Sequence, residues 1–485
     1  MSPPAPQHSD LVVRNADLID GTGRPRYRAD VLVSGGLIAA ILAPGTGSAR
    51  RVIDATGKVL CPGFIDTHTH DDQLVLQRAT PHPKLSQGVC TVVTGNCGIS
   101  LAPLVTANPP APLDLLGKHA YRFDSFHSYL EALDQSSPCV NVVPLIGHIS
   151  LRVKHVADLT QSATAAQTAA MREEISRALD AGAFGLSTGV YYPPARAATT
   201  GELLEVCRAL KGRDAILAMH LRDEGDHIDA ALEEALRVGA ATQARLVISH
   251  HKVVGKQNWG HTRHTLKTIE QAALGQSVCM DCYPYEASST MLDAHKAALI
   301  EEVLITWSTP YPEHSGKTLK AVAAQWGVPL QAAAERLMPG GAIYFSMAAE
   351  DVERVMLHPL TMIGSDGLPH EQRPHPRLWG TFPRVLGHYS RDKKLMSLEL
   401  AIYKMTGLPA QRFALAGRGT IAAGHAADLV LFDAQTIQDN ATYDTPTLPA
   451  TGLHAVFVNG VLSVWNGLQT QSRGGQRLRP TRSER

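Results

Sequence analysis

The chain has no excess charge of either sign, since 45 Lys and Arg balance 45 Asp and Glu over 485 residues. It carries no basic stripe, so nothing favours nucleic acid or an anionic membrane as a partner. No apolar run approaches the roughly 18 residues of a membrane span. The start, Met1-Ser-Pro-Pro-Ala-Pro, lacks a charged region followed by an apolar core, so a secretory signal is not expected there. The cysteines do not make an even set. Cys61, Cys90, Cys97, Cys139, Cys207, Cys279 and Cys282 are seven, and several lie inside apolar strand-like runs. A reducing cytoplasm with buried thiols is the expectation, not a disulfide framework. The chain contains 44% hydrophobic and 19% charged residues, which fits a soluble globular protein. It is too long for one compact core and suits a large barrel with a smaller domain.

The most informative stretch is Gly63-Phe-Ile-Asp-Thr-His-Thr-His70, where an apolar run from Val59 to Ile65 ends in two histidines. In a strand, residues i and i+2 share a face, so His68 and His70 can aim both imidazoles at one metal ion. Other apolar runs end the same way. Val89–Thr94 leads to Gly95-Asn96-Cys97-Gly98, Ala215–Met219 to His220, Arg245–Ser249 to His250, and Thr361–Ser365 to Asp366. A parallel barrel gathers the C-terminal ends of its strands at one face, where active sites form. Six metal-ligand residue types at one relative position favour a metal-dependent hydrolase over six unrelated strand ends. Only Cys97 among the cysteines sits in such a turn, so it is the candidate thiolate and the others read as small core residues.

Eight segments are expected as barrel strands, near residues 59–66, 89–94, 140–147, 183–188, 215–220, 245–250, 278–283 and 361–366. Between several of them lie helical patterns. One runs from Thr164 to Ala181, with Met171, Ile175, Ala178 and Leu179 at helical spacing. Such alternation implies a parallel sheet with right-handed crossovers. The fold class is therefore α/β, a (β/α)8 TIM-type barrel. The stretch between the last two strands is longer than an ordinary βα loop. It is read as a lid insertion, 286–350, with a helical pattern from Leu319 to Trp326. Residues 11–53 read as short strands with turns at Asp20-Gly21 and Gly35-Gly36. Ala427–Asp433 and His454–Gly460 have the same character. Both ends, 8–60 and 415–480, are thus expected to build one small β-sandwich domain around a barrel spanning 61–414.

Phe64-Ile-Asp-Thr-His-Thr-His70, the strand-end ligands and Gly364-Ser-Asp-Gly367 resemble the amidohydrolase superfamily. Thr94-Gly-Asn-Cys-Gly-Ile-Ser100, Met219-His-Leu-Arg-Asp-Glu-Gly225, Ile248-Ser-His-His-Lys252, Tyr283-Pro-Tyr285, Ile363–His370 and His375-Pro-Arg377 are similar to the N-acyl-D-amino-acid deacylases (D-aminoacylases) within it. The resemblance covers nearly the whole chain. It implies a zinc ion held by Cys97, His220 and His250, with a second, weaker or partly vacant metal position near His68, His70 and Asp366. Thiolate binds zinc well, and one sulfur can touch two ions.

The resemblance also implies roles. Zinc lowers the pKa of water from about 15.7 toward about 7. Asp366 is then the general base and later the acid that protonates the leaving amine. From its position after strand four, Tyr192 is expected either to hydrogen-bond the polarised carbonyl or to pack as a loop tyrosine. Lys252 and Arg377 are expected to hold the substrate carboxylate, Arg377 as a bidentate fork. Tyr283 and Ser289 would add hydroxyl donors. By their positions, Tyr191, Tyr344 and Met347 are candidates either for an apolar substrate pocket or for plain core packing. His251 should point away from the face of His250 and takes no metal role. The expected partner is a small N-acyl-D-amino acid, and the expected state a monomer or weak homo-oligomer.

A second enzyme reading, a cyclic-amide hydrolase or purine-type deaminase on the same barrel, competes, as does a non-catalytic scaffold. Cyclic-amide hydrolases of this superfamily bridge two metals with a carbamylated lysine at the fourth strand, but Leu186-Ser187-Thr188 offers none. Deaminases place a glutamate three residues after the strand-five histidine; here Asp223 holds that place and Glu224 follows. A non-catalytic scaffold should have lost ligands, and all six stand.

Overall fold

The computed structural model describes residues 9–77, 82–117 and 119–481; the expected domain start at residue 8 lies outside the described residues. Eight parallel strands form the central sheet: Phe64–Asp66, Val89–Thr94, Asn141–Gly147, Gly185–Gly189, Ile216–His220, Arg245–Ile248, Val278–Cys282 and Thr361–Ile363. They neighbour one another in chain order. A parallel bridge from Thr69 to Gly367 brings the first and last together, which makes the sheet a barrel. The reason is visible in the burial. Ile65, Val93, Val143, Ile216, Val247, Cys279 and Met362 form one fully buried cluster with members from most strands. Alternate positions such as Phe64, Val92, Val142, Leu217 and Leu246 join a second cluster with the outer helices. Strands buried on both faces need such continuous apolar runs.

The crossover helix Ala165–Ala181 shows how local sequence sets its limits. Thr164 accepts from the Gln167 amide, Gln167 reaches back to Thr164, and Gly182 ends the helix in the left-handed region. Its buried face is Thr168, Met171, Ile175, Ala178 and Leu179.

The expected first strand, 59–66, is two strands. Val59–Pro62 pairs antiparallel with Leu429–Phe432 in the small β domain, while Phe64–Asp66 belongs to the barrel. The break falls at Gly63, where a Cβ would stand 2.3 Å from the Cys90 sulfur. Strands from both ends of the chain form one nine-stranded sheet, including Leu11–Leu18, Tyr27–Ser34, Leu429–Phe432 and Leu453–Val458. The sheet curls until Leu37 bridges Ala426. It encloses a core of Val13, Leu18, Val31, Leu60, Leu429 and Phe457.

Between the seventh and eighth barrel strands stands a compact insertion. Its antiparallel strands Ala287–Met291, Val303–Ser308 and Gly340–Phe345 carry helices Ala294–Leu299, Leu319–Trp326 and Leu330–Leu337. Leu292, Ile305, Val322, Leu337 and Tyr344 give it a core of its own. The insertion reaches the barrel mouth through Thr290, whose hydroxyl lies 3.3 Å from the Tyr192 hydroxyl.

Candidate metal centre

The strand ends converge. The donor atoms of His68, His70, Cys97 and Asp366 lie within 4.8 Å of one another, and so do those of Cys97, His220 and His250. Cys97 belongs to both groups. Its Sγ is 3.2 Å from His68 Nε2 and 3.4 Å from His250 Nε2. Asp366 Oδ1 is 3.2 Å from His70 Nε2 although 296 residues separate the two. All six residues are buried.

Backbone geometry aims several of these side chains. Cys97, His250 and Asp366 hold left-handed backbone at φ 54°, 35° and 49°. Such conformations in non-glycine residues cost on the order of 1–3 kcal/mol and cluster at functional sites. The turn before Cys97 requires Gly95 at φ +79°, where a Cβ would stand 2.0 Å from the Leu145 carbonyl oxygen. The Ser187 hydroxyl locks this turn by accepting from the Gly98 amide at 2.8 Å and donating to the Gly95 carbonyl.

The donors suit a zinc ion. Neither ring nitrogen of His220 has a hydrogen-bond partner, nor does His70 Nδ1, and all three are buried. Imidazoles turned onto one thiol, without protons to share, are what a dication satisfies. Burial alone would raise the Cys97 thiol, but the His68 and His250 charges hold it well below its ordinary value. Burial, then the neighbouring His250, lowers His220, which keeps it neutral and able to ligate. Burial would also raise Asp366, yet Arg377 and His68 hold its carboxyl well below the usual range. It is therefore ionised at neutral pH.

Two carboxylates to which the sequence alone assigns no role complete the centre. Asp281 Oδ1 lies 3.2 Å from His68 Nδ1 and accepts from the His250 amide at 2.8 Å. Glu224 Oε1 lies 3.0 Å from His250 Nδ1 and 2.6 Å from Lys252 Nζ. Carboxylates on the far nitrogen of a ligating histidine fix its tautomer and orientation. Asp281 could have been found as the one acid inside the buried strand Val278–Cys282. Glu224 follows His220 closely, but sequence spacing gives no hint that it turns to His250.

The residues expected to bind substrate are distributed unequally. Arg377 is 1% exposed; its Nη1 lies 3.0 Å from Asp366 Oδ2 and its Nη2 donates to the Ser289 carbonyl at 3.1 Å. Its guanidinium sits 4.5 Å from the centre of the Tyr283 ring. Lys252 Nζ is 2.8 Å from His250 Nδ1. Both cations thus flank the centre, each already paired with a carboxylate. The Tyr283 hydroxyl is buried without a partner, and burial pushes it up to about 12. Burial raises Tyr192 too, so both phenols stay protonated donors. Met347 packs with Tyr283, Tyr285 and Val352 beside His250. Tyr191 stacks on His220 with ring centres 5.3 Å apart and lines a cleft of about 640 Å³ with Glu224, Lys296 and Phe345. That volume suits a small-molecule site. Tyr344 lies in the insertion's own core, its hydroxyl bonded to the Met291 carbonyl at 3.0 Å and the Asp293 amide at 2.9 Å. Lys296, which lines the cleft, holds its ammonium 4.7 Å from the Tyr344 ring centre. His251 turns away to Thr265 Oγ1 at 2.8 Å, and burial lowers it to about 4.

The sequence profile of the amidohydrolase family matches residues 51–325 and 315–464. A D-aminoacylase of Alcaligenes xylosoxydans xylosoxydans is 52% identical, over 98% of each chain. An N-acyl-D-aspartate deacylase of the same organism is 51% identical over 98% of this chain and 96% of its own. The crystal structure of N-acyl-D-glutamate deacylase from Bordetella bronchiseptica, complexed with zinc and a phosphonate inhibitor that mimics the tetrahedral intermediate, superposes with a TM-score of 0.94. It is 45% identical, covering 98% of this chain and all of that one.

Proposed function

The chain belongs to the amidohydrolase family, and on that premise we propose that it hydrolyses the amide bond of N-acyl-D-amino acids in a zinc-dependent reaction, releasing a carboxylate and a free D-amino acid. The observation that carries the reading is the Cys97 thiolate shared by two groups of buried donors, with an ionised Asp366 in one of them.

Cys97, His220 and His250 would hold one zinc tightly, and His68, His70 and Asp366 a second, weaker ion beside the same sulfur. Zinc in such a site lowers the pKa of a water toward about 7. The remaining work falls to side chains. Asp366 accepts a proton on its carboxylate and returns it to the leaving nitrogen, which an amide requires because an amine anion leaves poorly. Tyr192, kept protonated, donates a hydrogen bond to the carbonyl oxygen as it gains charge. Arg377 and Lys252 receive the substrate carboxylate, exchanging their present pairing with Asp366 and Glu224 for it. Tyr283 supplies a free hydroxyl donor beside them, and Ser289 and Arg377 tie this corner to the insertion. We read residues 286–350 as a lid over the mouth, and Tyr191, Met347 and, behind Lys296, Tyr344 as walls of the side-chain pocket.

Among the described residues no helix is long and apolar enough to cross a membrane. Seven buried, unpaired cysteines support a reducing cytoplasmic setting. We expect a monomer or weak homo-oligomer.

The test is amide hydrolysis of paired N-acetyl-D- and N-acetyl-L-amino acids, apolar and acidic, with and without added zinc. Turnover confined to D substrates and lost on chelation supports the reading. No turnover of any D substrate, or equal turnover of both series, refutes it.

A further inference from the structure

We propose that Lys84 is a positioning residue for Asp366 and for the His68 and His70 metal position, because it closes the barrel seam directly beneath them. The inference rests on the deacylase reading above. The seam lies between the first strand, Phe64–Asp66, and the last, Thr361–Ile363, which stand at opposite ends of the sheet order. Among the described residues the pairing across it is one isolated bridge, Thr69 to Gly367, with the Asp366 amide donating to the His68 carbonyl at 2.8 Å. Other strand pairs in the barrel have a ladder here; this pair has side chains instead.

Those side chains converge on one ammonium. Lys84 is 0% exposed, and its Nζ donates to Asp66 Oδ2 at 2.8 Å and to Ser365 Oγ at 2.6 Å. Asp71 Oδ2 lies 3.5 Å from the same Nζ. Asp66 Oδ1 in turn accepts from the Ser365 amide at 2.7 Å. Ser365 immediately precedes Asp366, Asp66 lies two residues before His68, and Asp71 follows His70. One cation therefore fixes the chain on the near side of three donors while touching none of them. Lys84 itself is anchored by its neighbour turn, since Gln87 Nε2 donates to the Leu378 carbonyl at 2.7 Å, next to Arg377. A buried ammonium facing two carboxylates is weak evidence for stability. A location under the base and the second metal position gives it a use in geometry.

The test uses the full-length zinc enzyme. Lys84→Met alone would strand the buried Asp66 charge, so the paired variant Lys84→Met with Asp66→Asn is compared with Lys84→Arg, which keeps the charge but widens the head group. Circular dichroism and zinc content report the fold and the Cys97 site. Zinc titration against a competing chelator reports the weaker ion. Steady-state kinetics on an N-acetyl-D-amino acid separate kcat from KM. We expect both variants to keep native dichroism and the tight zinc. We expect the weaker ion's affinity and kcat each to fall about tenfold to hundredfold, the scale for groups that orient metal ligands, with KM nearly unchanged. A folded variant of either kind with weaker-ion affinity and kcat at wild-type values would overturn the proposal. Failure of the deacylase reading would show separately, as wild-type enzyme without turnover, while the titration would still report on Lys84.

Discussion

Replacing Arg377 by lysine separates recognition of a substrate carboxylate from everything else at the centre. The guanidinium is fully buried, 3.0 Å from Asp366 Oδ2 and stacked on Tyr283. Lysine keeps the charge, but a point charge cannot make two parallel hydrogen bonds to a carboxylate. At an effective dielectric constant of about 20, opposite charges at the observed 3.0 Å attract by roughly 5–6 kcal/mol before desolvation. The net worth of a charge-assisted hydrogen bond is about 1.5–3 kcal/mol, or roughly tenfold to hundredfold in kcat/KM. Arg377 also touches the base, so the substitution lowers turnover of every substrate by a common factor. The informative quantity is a ratio. Steady-state kcat/KM is measured for an N-acetyl-D-amino acid and its carboxamide, which lacks the charge. The acid should lose about ten to a hundred times more than the carboxamide. Equal losses would assign Arg377 to holding Asp366 and leave the carboxylate to Lys252 and Tyr283.

Three further outcomes follow from the same geometry. Asp366→Asn should lower kcat by about 10² or more, while zinc at Cys97, His220 and His250 stays bound; intact zinc with a few-fold loss would move the base elsewhere. Arg377→Met removes the foremost charge that favours ionised Asp366. Because the carboxylate is the working form and Arg377 depresses its pKa, the acid limb of kcat/KM should move to higher pH, and an unmoved limb would show that another group titrates there. Glu224→Gln should weaken zinc retention by about tenfold to hundredfold, read by chelator competition, since the amide no longer holds the His250 tautomer as a carboxylate does; unchanged retention would make Glu224 a partner of Lys252 alone.

The strand ends were legible because each barrel strand must be apolar on both faces, so a Cys, His or Asp at its end stands out. The helix Ala165–Ala181 was legible for a similar reason, its cap and its spacing agreeing. The division at Gly63 was not. Val59–Pro62 and Phe64–Asp66 are all buried and apolar or nearly so, and one run of that kind serves a curled sheet and a barrel equally well. Pairings across the fold were hidden too. That Arg377 rests against Asp366, and Glu224 against His250, depends on strand ends meeting at one face, and local spacing holds no record of it. Tyr344 illustrates a choice that sequence leaves open, between pocket wall and core packing; its hydroxyl is satisfied inside the insertion's core, and Lys296 lies against its ring.

The most direct test of the metal centre is the zinc content of Cys97→Ala, measured by elemental analysis beside its hydrolysis of an N-acetyl-D-amino acid. Cys97 alone serves both groups of donors, so its loss should remove bound zinc and turnover together, where the wild type keeps both. Full zinc content with near-normal turnover in that variant would contradict the assignment.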